Sequence, residues 1–440
     1  MTAPTAADVV PLDQTGPILA PRSRGILARG LGRSYGDAAQ NAGGTIVDAT
    51  VHDSLIAIDR RGATAQVAAG VSLDRLLQRL VPLGFFVPVT PGTRFVTVGG
   101  AIAADVHGKN HHRDGSIGNH IRSMNLATPR GVVAVSPELE PDLFWATTGG
   151  MGLTGIVLDA TLSLPRIETS LLQVDTDRTS DLDGVLALMT EGDHRYHYSV
   201  AWIDCLARGR HLGRSVLTRG DFATVSDLPA SQRSHPLEYK PAVRIQVPPV
   251  FPSGLVNAAS MRLFNEAFYR RAPRSRRGEL QSIPQFFHPL DVIGHWNRMY
   301  GPRGFLQYQS VVPFGAEDTL RRAVERLSGA GVASSLAVLK RFGPGDPGPL
   351  SFPAEGWTLA LDVAVVPGLT ALLDQLDDEV VSVGGRVYLA KDSRVRRGLI
   401  PTMYPRLNEW RSVRDLVDPD GLLVSDLDRR LNLSGRWETR

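Results

Sequence analysis

The sequence predicts an α+β protein built from two domains. Its 440 residues exceed what one hydrophobic core usually organises, so two domains are the starting expectation. Up to about residue 168, short apolar runs alternate with glycine-rich turns, which indicates a first domain of short strands. From about residue 169, longer apolar runs alternate with helical patterns, which indicates a second domain made of an antiparallel sheet with helices.

Composition and charge are those of an ordinary globular enzyme. The chain is 42% hydrophobic and 21% charged, and its net charge of +3 is too small to predict a nucleic-acid partner. No secretory signal pattern and no apolar run long enough for a transmembrane helix is found, so a cytoplasmic protein is expected. Cys205 is the only cysteine, which excludes an intramolecular disulfide and predicts a small buried apolar side chain.

Lysine is rare in this chain. Lys109, Lys240, Lys340 and Lys391 are the only four, and the other 44 of the 48 basic residues are arginine. Where arginine is the default cation, a lysine marks a position that needs a compact ammonium able to lose its proton. Four ordinary surface lysines are the alternative, and composition alone leaves both open.

The first ordered stretch is a strand followed by a glycine-spaced loop. Residues 1–24 contain several prolines and little periodicity, so they are expected to form a loose lead-in. The segment 25–36 has a short apolar run and then three closely spaced glycines around Arg29, Arg33 and Ser34. Backbone amides and guanidinium groups in such a loop suit a pyrophosphate, and an ordinary tight turn is the alternative.

Three short strands and a helix are predicted next. Apolar runs bounded by glycine and aspartate turns predict the strands. Ser72 is expected to cap the helix, and Pro82 and Gly84 to end it. The predicted strands are 45–48, 54–59 and 63–69, and the predicted helix is 73–80.

The stretch from Pro91 to His112 concentrates backbone-permissive and titratable residues. Its glycines lack Cβ atoms, so the main chain can approach a bulky partner, and its alanines keep the following wall low. His107 and Lys109 add an imidazole and an ammonium suited to proton transfer or anion binding. We therefore expect a cofactor floor followed by a catalytic loop. The small residues are Gly92, Gly99, Gly100, Ala101, Ala103 and Ala104.

A G-x-G-x-x-G pattern at Gly150, Gly152 and Gly155 suggests a Rossmann dinucleotide site. Such a motif should follow a strand and open a helix. Here a helix predicted at 142–146 precedes the motif and a strand predicted at 156–164 follows it, so we reject the Rossmann interpretation and expect a tight corner beside a ligand. The strands predicted before this corner are 121–128 and 131–135.

The second domain and the tail carry longer elements. A basic run at 269–278 lies near an apolar segment with Phe251, Leu255, Val256 and Phe264. The run is either a solvated loop or a contact with an anionic membrane surface, and the sequence leaves both open. The predicted elements are strands 196–203, 305–312 and 384–391, helices 316–327 and 404–416, and a final basic helix.

Five motifs along the chain carry a resemblance to a known family. They are 28–37 (ARGLGRSYGD), 91–94 (PGTR), 107–112 (HGKNHH), 305–309 (FLQYQ) and 392–394 (DSR), joined by TVGGA at 97–101. They resemble the FAD-binding fold of the vanillyl-alcohol oxidase/p-cresol methylhydroxylase superfamily, and within it the decaprenylphosphoryl-β-D-ribose oxidase family. The resemblance implies an FAD-binding domain at 1–168, a substrate-binding domain at 169–385 and a C-terminal return to the FAD-binding domain at 386–440.

The resemblance also implies which residues hold FAD, without a covalent link. The glycine loop is expected at the pyrophosphate, the Pro91 stretch along the cofactor, and Tyr388 near the isoalloxazine. The implied FAD contacts are Arg29, Gly30, Leu31, Gly32, Arg33, Ser34, Tyr35, Gly36, Pro91, Gly92, Thr93, Thr97, Val98, Gly99, Gly100, Ala101, Ala104, His107, Gly108, Gly155, Ile156 and Tyr388.

On the substrate side of the flavin, the family positions are His107, Lys109, Gln307, Gln309, Lys340 and Lys391. Oxidation of a secondary alcohol needs a proton acceptor for the hydroxyl, and Lys391 is the first choice with His107 as competitor. Lys109 and Lys340 suit electrostatic roles. Gln307 and Gln309 alternate on a predicted strand, so they should face the same side and bond sugar hydroxyls.

The expected substrate pocket contains Trp202, Phe287, Thr358 and Ala360. Three of these residues depart from the family pattern. At 358–360 (TLA) the family commonly has asparagine and cysteine, so a pocket amide and a thiol are missing here. Phe287 replaces a tyrosine and lacks its hydroxyl. FAD binding is expected to survive these changes, and they bear on sugar or lipid specificity.

The activity implied by the resemblance is FAD-dependent oxidation of the ribose 2-hydroxyl of a polyprenylphosphoryl-β-D-ribofuranose to the 2-keto sugar. In the family this is the first half of an epimerisation that makes the arabinofuranose donor of actinobacterial cell-wall arabinan. An NADH-dependent keto-reductase partner and a peripheral membrane position follow, with the membrane face left open. A monomer is favoured.

Three other functions stay open from the sequence alone. An alditol or aldonolactone oxidase using O₂ would share the flavin fold. A non-catalytic lipid-phosphate-binding protein would share the basic pocket. A metallohydrolase could use His107, His111 and His112, but Gly108 disfavours the helix that would align them, and no H-E-x-x-H pattern is present.

Overall fold

The structure is a computed structural model that describes residues 5–12, 19, 24–243, 245–248, 252 and 254–437. It confirms the predicted α+β class. The strands are β1 (Asp8–Pro11), β2 (Ile26–Arg29), β3 (Thr45–Asp48), β4 (Leu55–Asp59), β5 (Thr64–Ala68), β6 (Ile121–Thr128), β7 (Gly131–Val135), β8 (Ile156–Ser163), β9 (Leu171–Thr179), β10 (Tyr198–Ile203), β11 (Ser215–Phe222), β12 (Ile245–Gln246), β13 (Ser275–Ser282), β14 (Ile293–Gly294), β15 (Phe305–Val312), β16 (Ser334–Phe342), β17 (Gly356–Ala364) and β18 (Arg386–Val387). The helices are α1 (Leu73–Leu80), α2 (Val98–Ala103), α3 (His111–Asp114), α4 (Pro141–Thr147), α5 (Leu182–Gly192), α6 (Ala258–Arg271), α7 (Ile283–Phe287), α8 (Glu317–Ala330), α9 (Leu369–Ser382), α10 (Ile400–Met403), α11 (Leu407–Val417) and α12 (Asp426–Leu431).

Two small sheets form the first part of the chain. The order β1-β3-β2 makes a three-stranded parallel sheet, and β4-β5-β8-β6-β7 makes a five-stranded antiparallel sheet. Helix α1 buries its leucines at positions 73, 76, 77 and 80, the spacing of one helix face, in the apolar cluster of the five-stranded sheet. Ser72 caps α1 as predicted, because its side chain accepts a hydrogen bond from the amide of Arg75.

One large antiparallel sheet dominates the second part. Its strand order is β13-β9-β11-β10-β16-β17-β15-β18. Helices α5, α8 and α9 cover one face of this sheet, where Tyr308, Leu339, Leu359 and Leu361 join the hydrophobic core. Because side chains alternate along a strand, the residues between these core positions point to the other face. That other face meets residues 107–111 and carries the site described below.

Two predicted elements differ from the structure. The prediction of a loose lead-in at 1–24 is wrong for residues 8–11. They form β1, which pairs in parallel with β3, and the following Leu12 is buried. The predicted return strand 384–391 is wrong beyond Val387, because the chain turns there. Amides of Lys391 and Asp392 donate to the carbonyls of residues 388 and 389 at 3.0 and 3.2 Å.

Other expectations are confirmed. Cys205 is buried just after β10. The corner at Gly150 to Gly155 follows helix α4 and precedes strand β8, so it lacks the order of a Rossmann motif. The proposed domain boundaries stay a prediction. Among the described residues, no helix combines the length and apolar character needed to span a bilayer.

Candidate active site

The glycine loop is clamped at both of its ends. A Cβ atom added to Gly30 would lie 2.1 Å from Oγ1 of Thr97, and one added to Gly36 would lie 1.6 Å from the carbonyl oxygen of Asp392. Only glycine permits these close approaches. The loop is therefore held between the start of α2 and the tail of the chain.

Between the clamped ends, residues 31–34 present unpaired backbone amides. None of these four amides donates to a group in the described part of the chain, and Gly32 and Arg33 are exposed. An open row of N–H groups with arginines nearby is the arrangement that binds phosphate oxygens. The loop thus has the chemistry predicted for a pyrophosphate cradle.

The Pro91 stretch forms a turn and then the short helix α2. Thr97 caps α2 through its hydroxyl, which accepts a hydrogen bond from the amide of Gly100 at 3.2 Å. Gly92 and Gly100 are exposed, and no atom lies within 4 Å of a Cβ placed on Gly92. The hydroxyl of Thr93 is instead committed to Asp291, 2.7 Å away.

The corner at Gly149 to Ile156 lies against the end of α2. Amides of Gly149 and Met151 donate to the carbonyls of Ile102 and Ala103 at 3.0 and 2.9 Å. The side chain of Ile156 is buried in an apolar cluster with Ile26. Any cofactor contact at Ile156 therefore has to come from its main chain.

One face of the large sheet carries the predicted polar residues. Cross-strand pairs place Gln309 beside Ala360, Ala360 beside Val338, and Val338 beside Trp202. On the same face Gln307 pairs with Asp362, and Lys340 pairs with Thr358. Antiparallel partners share a face, so four strands contribute to a single surface.

His107 lies at the meeting point of the two parts of the chain. Its Nε2 accepts a hydrogen bond from the amide nitrogen of Gln309 at 2.8 Å, and its ring packs against Phe342 and Tyr388 at 4.8 and 5.2 Å between centroids. Burial, with the nearby positive charge of Lys340, holds the pKa of His107 well below its usual value. The neutral ring then carries its proton on Nδ1, which is buried and has no partner among the described residues.

Three of the four lysines converge on this site. Lys391 Nζ lies 4.0 Å from the ring centroid of Tyr35, Lys340 Nζ lies 5.8 Å from that of Phe342, and Lys109 Nζ lies 4.3 Å from that of Phe286. The Nζ atoms of Lys340 and Lys391 have no hydrogen-bond or ion-pair partner in the part of the chain described. Lys240, in contrast, is 82% exposed and pairs with Glu238 on the surface.

Burial lowers the pKa of all three clustered lysines. It brings the pKa of Lys340 to about 8 and, with Lys340 adding repulsion, that of Lys109 to about 7. The pKa of Lys391 also falls by burial, with Asp362 opposing the shift and Lys340 adding to it. A fraction of neutral amine is therefore available near neutral pH.

Asp362 is a site residue that the sequence analysis missed. It is fully buried, and its Oδ1 accepts a hydrogen bond from the side-chain amide of Gln307. Burial raises its pKa, and Gln307 and Lys391 act in the opposite direction. The alternation Thr358, Ala360, Asp362 could have revealed it, because every second residue of a strand shares a face.

The predicted pocket residues are positioned differently from one another. Thr358 donates to the carbonyl of Ser310 at 2.9 Å and accepts from the amide of Gln309 at 3.2 Å. Phe287 is buried in an aromatic cluster whose edge reaches Lys109, with Nζ 5.9 Å from the ring centroid. Trp202 is half-buried and packs against Phe268 of α6, with 4.7 Å between centroids.

Comparison with known proteins gives a match along nearly the whole chain. Residues 19–136 match the FAD binding domain family. The chain is 44% identical over 444 aligned residues to decaprenylphosphoryl-β-D-ribose oxidase of Mycolicibacterium smegmatis, covering 98% of this chain and 96% of that protein.

The chain belongs to the decaprenylphosphoryl-β-D-ribose oxidase family. Its members are flavoenzymes, and the chain is an FAD-dependent oxidoreductase. Two solved structures share the fold. They are 6-hydroxy-D-nicotine oxidase from Arthrobacter nicotinovorans (16% identity, TM-score 0.61) and BBE-like 1 from Physcomitrella patens (15% identity, TM-score 0.63), each covering 91% of this chain and 85% of its own. The predicted vanillyl-alcohol oxidase type of fold is confirmed.

The residues of this oxidase-family chain fit FAD. The unpaired amides of 31–34 suit its pyrophosphate, and the open space at Gly92 admits a bulky group. The buried Nδ1–H of His107 needs an acceptor that the described residues do not supply. No group of three metal-ligating side chains occurs in the described ranges.

Proposed function

We propose that the protein oxidises the ribose 2-hydroxyl of a polyprenylphosphoryl-β-D-ribofuranose to the 2-keto sugar. This is the first half of an epimerisation to the arabinofuranose donor for cell-wall arabinan. The observation that carries the proposal is the convergence of three partly neutralised lysines and the His107–Gln309 pair beside the glycine loop. The similarity over 98% of the chain supports the same substrate class.

FAD, when bound, accepts the hydride that leaves the sugar carbon. The hydroxyl proton goes to Nζ of Lys391, which burial keeps partly neutral. His107 is the weaker candidate, because its Nε2 lone pair already accepts the Gln309 amide. Asp362 and Lys340 set the charge around Lys391 with opposite signs.

The remaining side chains bind the substrate. Lys340 and Lys109, whose pKa values burial lowers, hold the phosphate charge once the anion enters, because a nearby anion favours their ammonium forms. The side-chain carbonyl of Gln309 accepts from a sugar hydroxyl, while its amide stays fixed by His107 and Thr358. Exclusion of water by Phe342 and Phe352 strengthens these contacts.

The wider proposal includes the partners. FAD is held without a covalent bond, and the ketone passes to a separate NADH-dependent keto-reductase. The oxidase is a monomer that works at a membrane surface, where a polyprenyl substrate resides.

The test is anaerobic reduction of the purified yellow protein by defined substrates. We expect farnesylphosphoryl ribose to bleach the flavin and to yield a product lighter by two hydrogens, the 2-keto sugar. Equal or faster bleaching by an aldonolactone or an alditol, followed by rapid reoxidation in air, would favour a sugar oxidase instead. A colourless protein that binds the ribose lipid would favour a lipid-binding role.

A further inference from the structure

Helix α6 exposes several large apolar side chains that a globular protein usually buries. It buries Met261 and Asn265, while Leu263, Phe264 and Phe268 are 74%, 49% and 41% exposed. At about 100° per residue, these three side chains span an arc of about 140°, which is one broad side of the helix. A surface helix normally turns such a face to the core.

The other side of α6 is anchored by polar contacts. Asn265 donates to Oδ1 of Asp204 at 2.7 Å, and Glu266 accepts from Arg214 at 2.6 Å. Arg214 also pairs with Asp204 at 2.8 Å. The orientation of the helix is therefore fixed, and its apolar face is held toward solvent.

The surroundings of this face are strongly basic. Residues 258–282 contain six arginines and two glutamates. Arg271 follows Phe264 by seven residues, so it continues the same face, and Arg270 lies beside it. Both arginines are exposed, and exposed arginines continue along the edge strand β13. An apolar face rimmed by cations is complementary to a layer of anionic headgroups over acyl chains.

The face leads directly into the proposed substrate pocket. Phe264 stacks with Phe268 at 6.1 Å between centroids, and Phe268 packs against Trp202 at 4.7 Å. Trp202 begins the cross-strand row that runs through Val338 and Ala360 to Gln309. A row of neighbouring, mostly apolar side chains thus runs from the outer surface toward the catalytic side chains.

We propose that the apolar face of α6, with Arg270 and Arg271, docks into the headgroup layer of an anionic membrane. We further assign the row Phe264, Phe268, Trp202 as the path of the polyprenyl chain. This second statement rests on the proposed function, whereas the docking does not. Anionic lipid is favoured over a protein partner because the rim keeps a cationic excess. It has six arginines and two glutamates, and these glutamates pair only with Arg270 and Arg276 among the six. Phe251 of the apolar segment lies outside the described residues.

Vesicle flotation of the holoenzyme tests the docking. The probes are vesicles of equal parts phosphatidylglycerol and phosphatidylcholine, and vesicles of phosphatidylcholine alone. We expect wild type to bind the anionic vesicles. Two double variants should each weaken binding roughly tenfold or more: Leu263→Gln/Phe264→Gln and Arg270→Gln/Arg271→Gln. The effect of the arginine variant should be largest at low salt.

Matched control variants distinguish an effect of the α6 face from the general effect of removing an exposed leucine or an exposed arginine pair. Leu416→Gln removes a leucine on α11 that is 65% exposed, against 74% for Leu263, and Arg60→Gln/Arg61→Gln removes an exposed arginine pair in the β4–β5 turn. Both should bind vesicles like wild type. Unchanged binding by the α6 variants, or no binding by wild type, overturns the docking. If the α6 variants still bind vesicles but no longer bind the NADH-dependent keto-reductase, the α6 face is a docking surface for that protein instead.

Substrates of two chain lengths test the polyprenyl path. They also distinguish a failure of the path from a failure of the proposed function. The Arg270→Gln/Arg271→Gln variant, which leaves the proposed path intact, should oxidise farnesylphosphoryl ribose in solution like wild type. On decaprenylphosphoryl ribose in anionic vesicles, Leu263→Gln/Phe264→Gln should lose several-fold more in rate than Arg270→Gln/Arg271→Gln, because only the first pair alters the path. Equal rates on the vesicle substrate overturn the path. If neither ribose lipid reduces wild type, the proposed function fails, while the vesicle-binding result stands by itself.

Discussion

Among individual residues, the charge balance around Lys391 controls the proposed proton transfer. Asp362 is buried on the same sheet face and favours the ammonium form of Lys391, whereas Lys340 favours the neutral amine. Burial opposes the charged form of all three side chains. The lysine that accepts the proton is therefore tuned by two neighbours of opposite sign.

This balance predicts opposite shifts in the pH profile of two variants. A base must be neutral to act, so kcat/KM should rise as pH passes the pKa of Lys391. Asp362→Asn removes the anion and should move this rise to lower pH by about one unit, and Lys340→Gln removes a cation and should move it to higher pH. The measurement is anaerobic flavin reduction against pH, with wild type as reference. Coincident profiles would exclude Lys391 as the titrating base.

The residue scale also shows what the sequence could predict. The rarity of lysine and the family motifs together predicted Lys109, Lys340 and Lys391, and the structure brings them into one site. The alternation from Thr358 points to Asp362, but the sequence does not show that its partner is Gln307, which lies on another strand 55 positions away in the chain. The hydrogen bond from the Thr93 hydroxyl to Asp291 was not predicted for a similar reason. No local sequence pattern indicates a partner so distant in the chain.

At the scale of elements, two kinds of glycine build the cofactor side of the site. Gly30 and Gly36 are needed because protein atoms lie where a Cβ would be, so they hold the loop against α2 and the tail. Gly92 is exposed, and no atom of the described residues lies within 4 Å of that position. Its missing side chain therefore leaves space for something other than the protein.

The open position at Gly92 gives a test of cofactor contact. Gly92→Ala should leave the unfolding temperature of the FAD-free protein unchanged and weaken FAD binding roughly tenfold, because only a ligand meets the added methyl group. FAD affinity and melting temperature are measured by fluorescence. Gly398→Ala is the control, since this exposed glycine also has no atom within 4 Å and lies in a short helical turn near the tail. If Gly92→Ala binds FAD like wild type, the Pro91 turn does not line the cofactor.

Element boundaries were predicted well where periodicity and caps were local. Strands β6, β7 and β15 begin and end at the predicted residues, and α1 begins after its predicted cap. The return strand failed because the turn at 388–392 is fixed from outside, through the hydroxyl of Tyr388 donating to the carbonyl of Ala104. The inverted face of α6 could not be predicted either, since an amphipathic pattern does not say which side is buried.

At the scale of the whole molecule, the site is assembled from three distant parts of the chain. The loop at His107, the strands β15 to β17 and the tail at Lys391 meet where the large sheet packs against the first part of the chain. The Gln309 amide on His107 and the Tyr388 hydroxyl on Ala104 are two of the hydrogen bonds that join them. The order of the motifs predicted the family, but only the folded structure brings the three lysines together at one site.

The most direct test of the account is anaerobic flavin reduction in Lys391→Met. Methionine keeps the length and packing of the side chain and removes the proton acceptor. We expect yellow protein with normal FAD content, reduced by farnesylphosphoryl ribose at least about a hundredfold more slowly than wild type. Reduction of Lys391→Met at the wild-type rate, or a wild-type protein that is not reduced by this ribose lipid, would contradict the account.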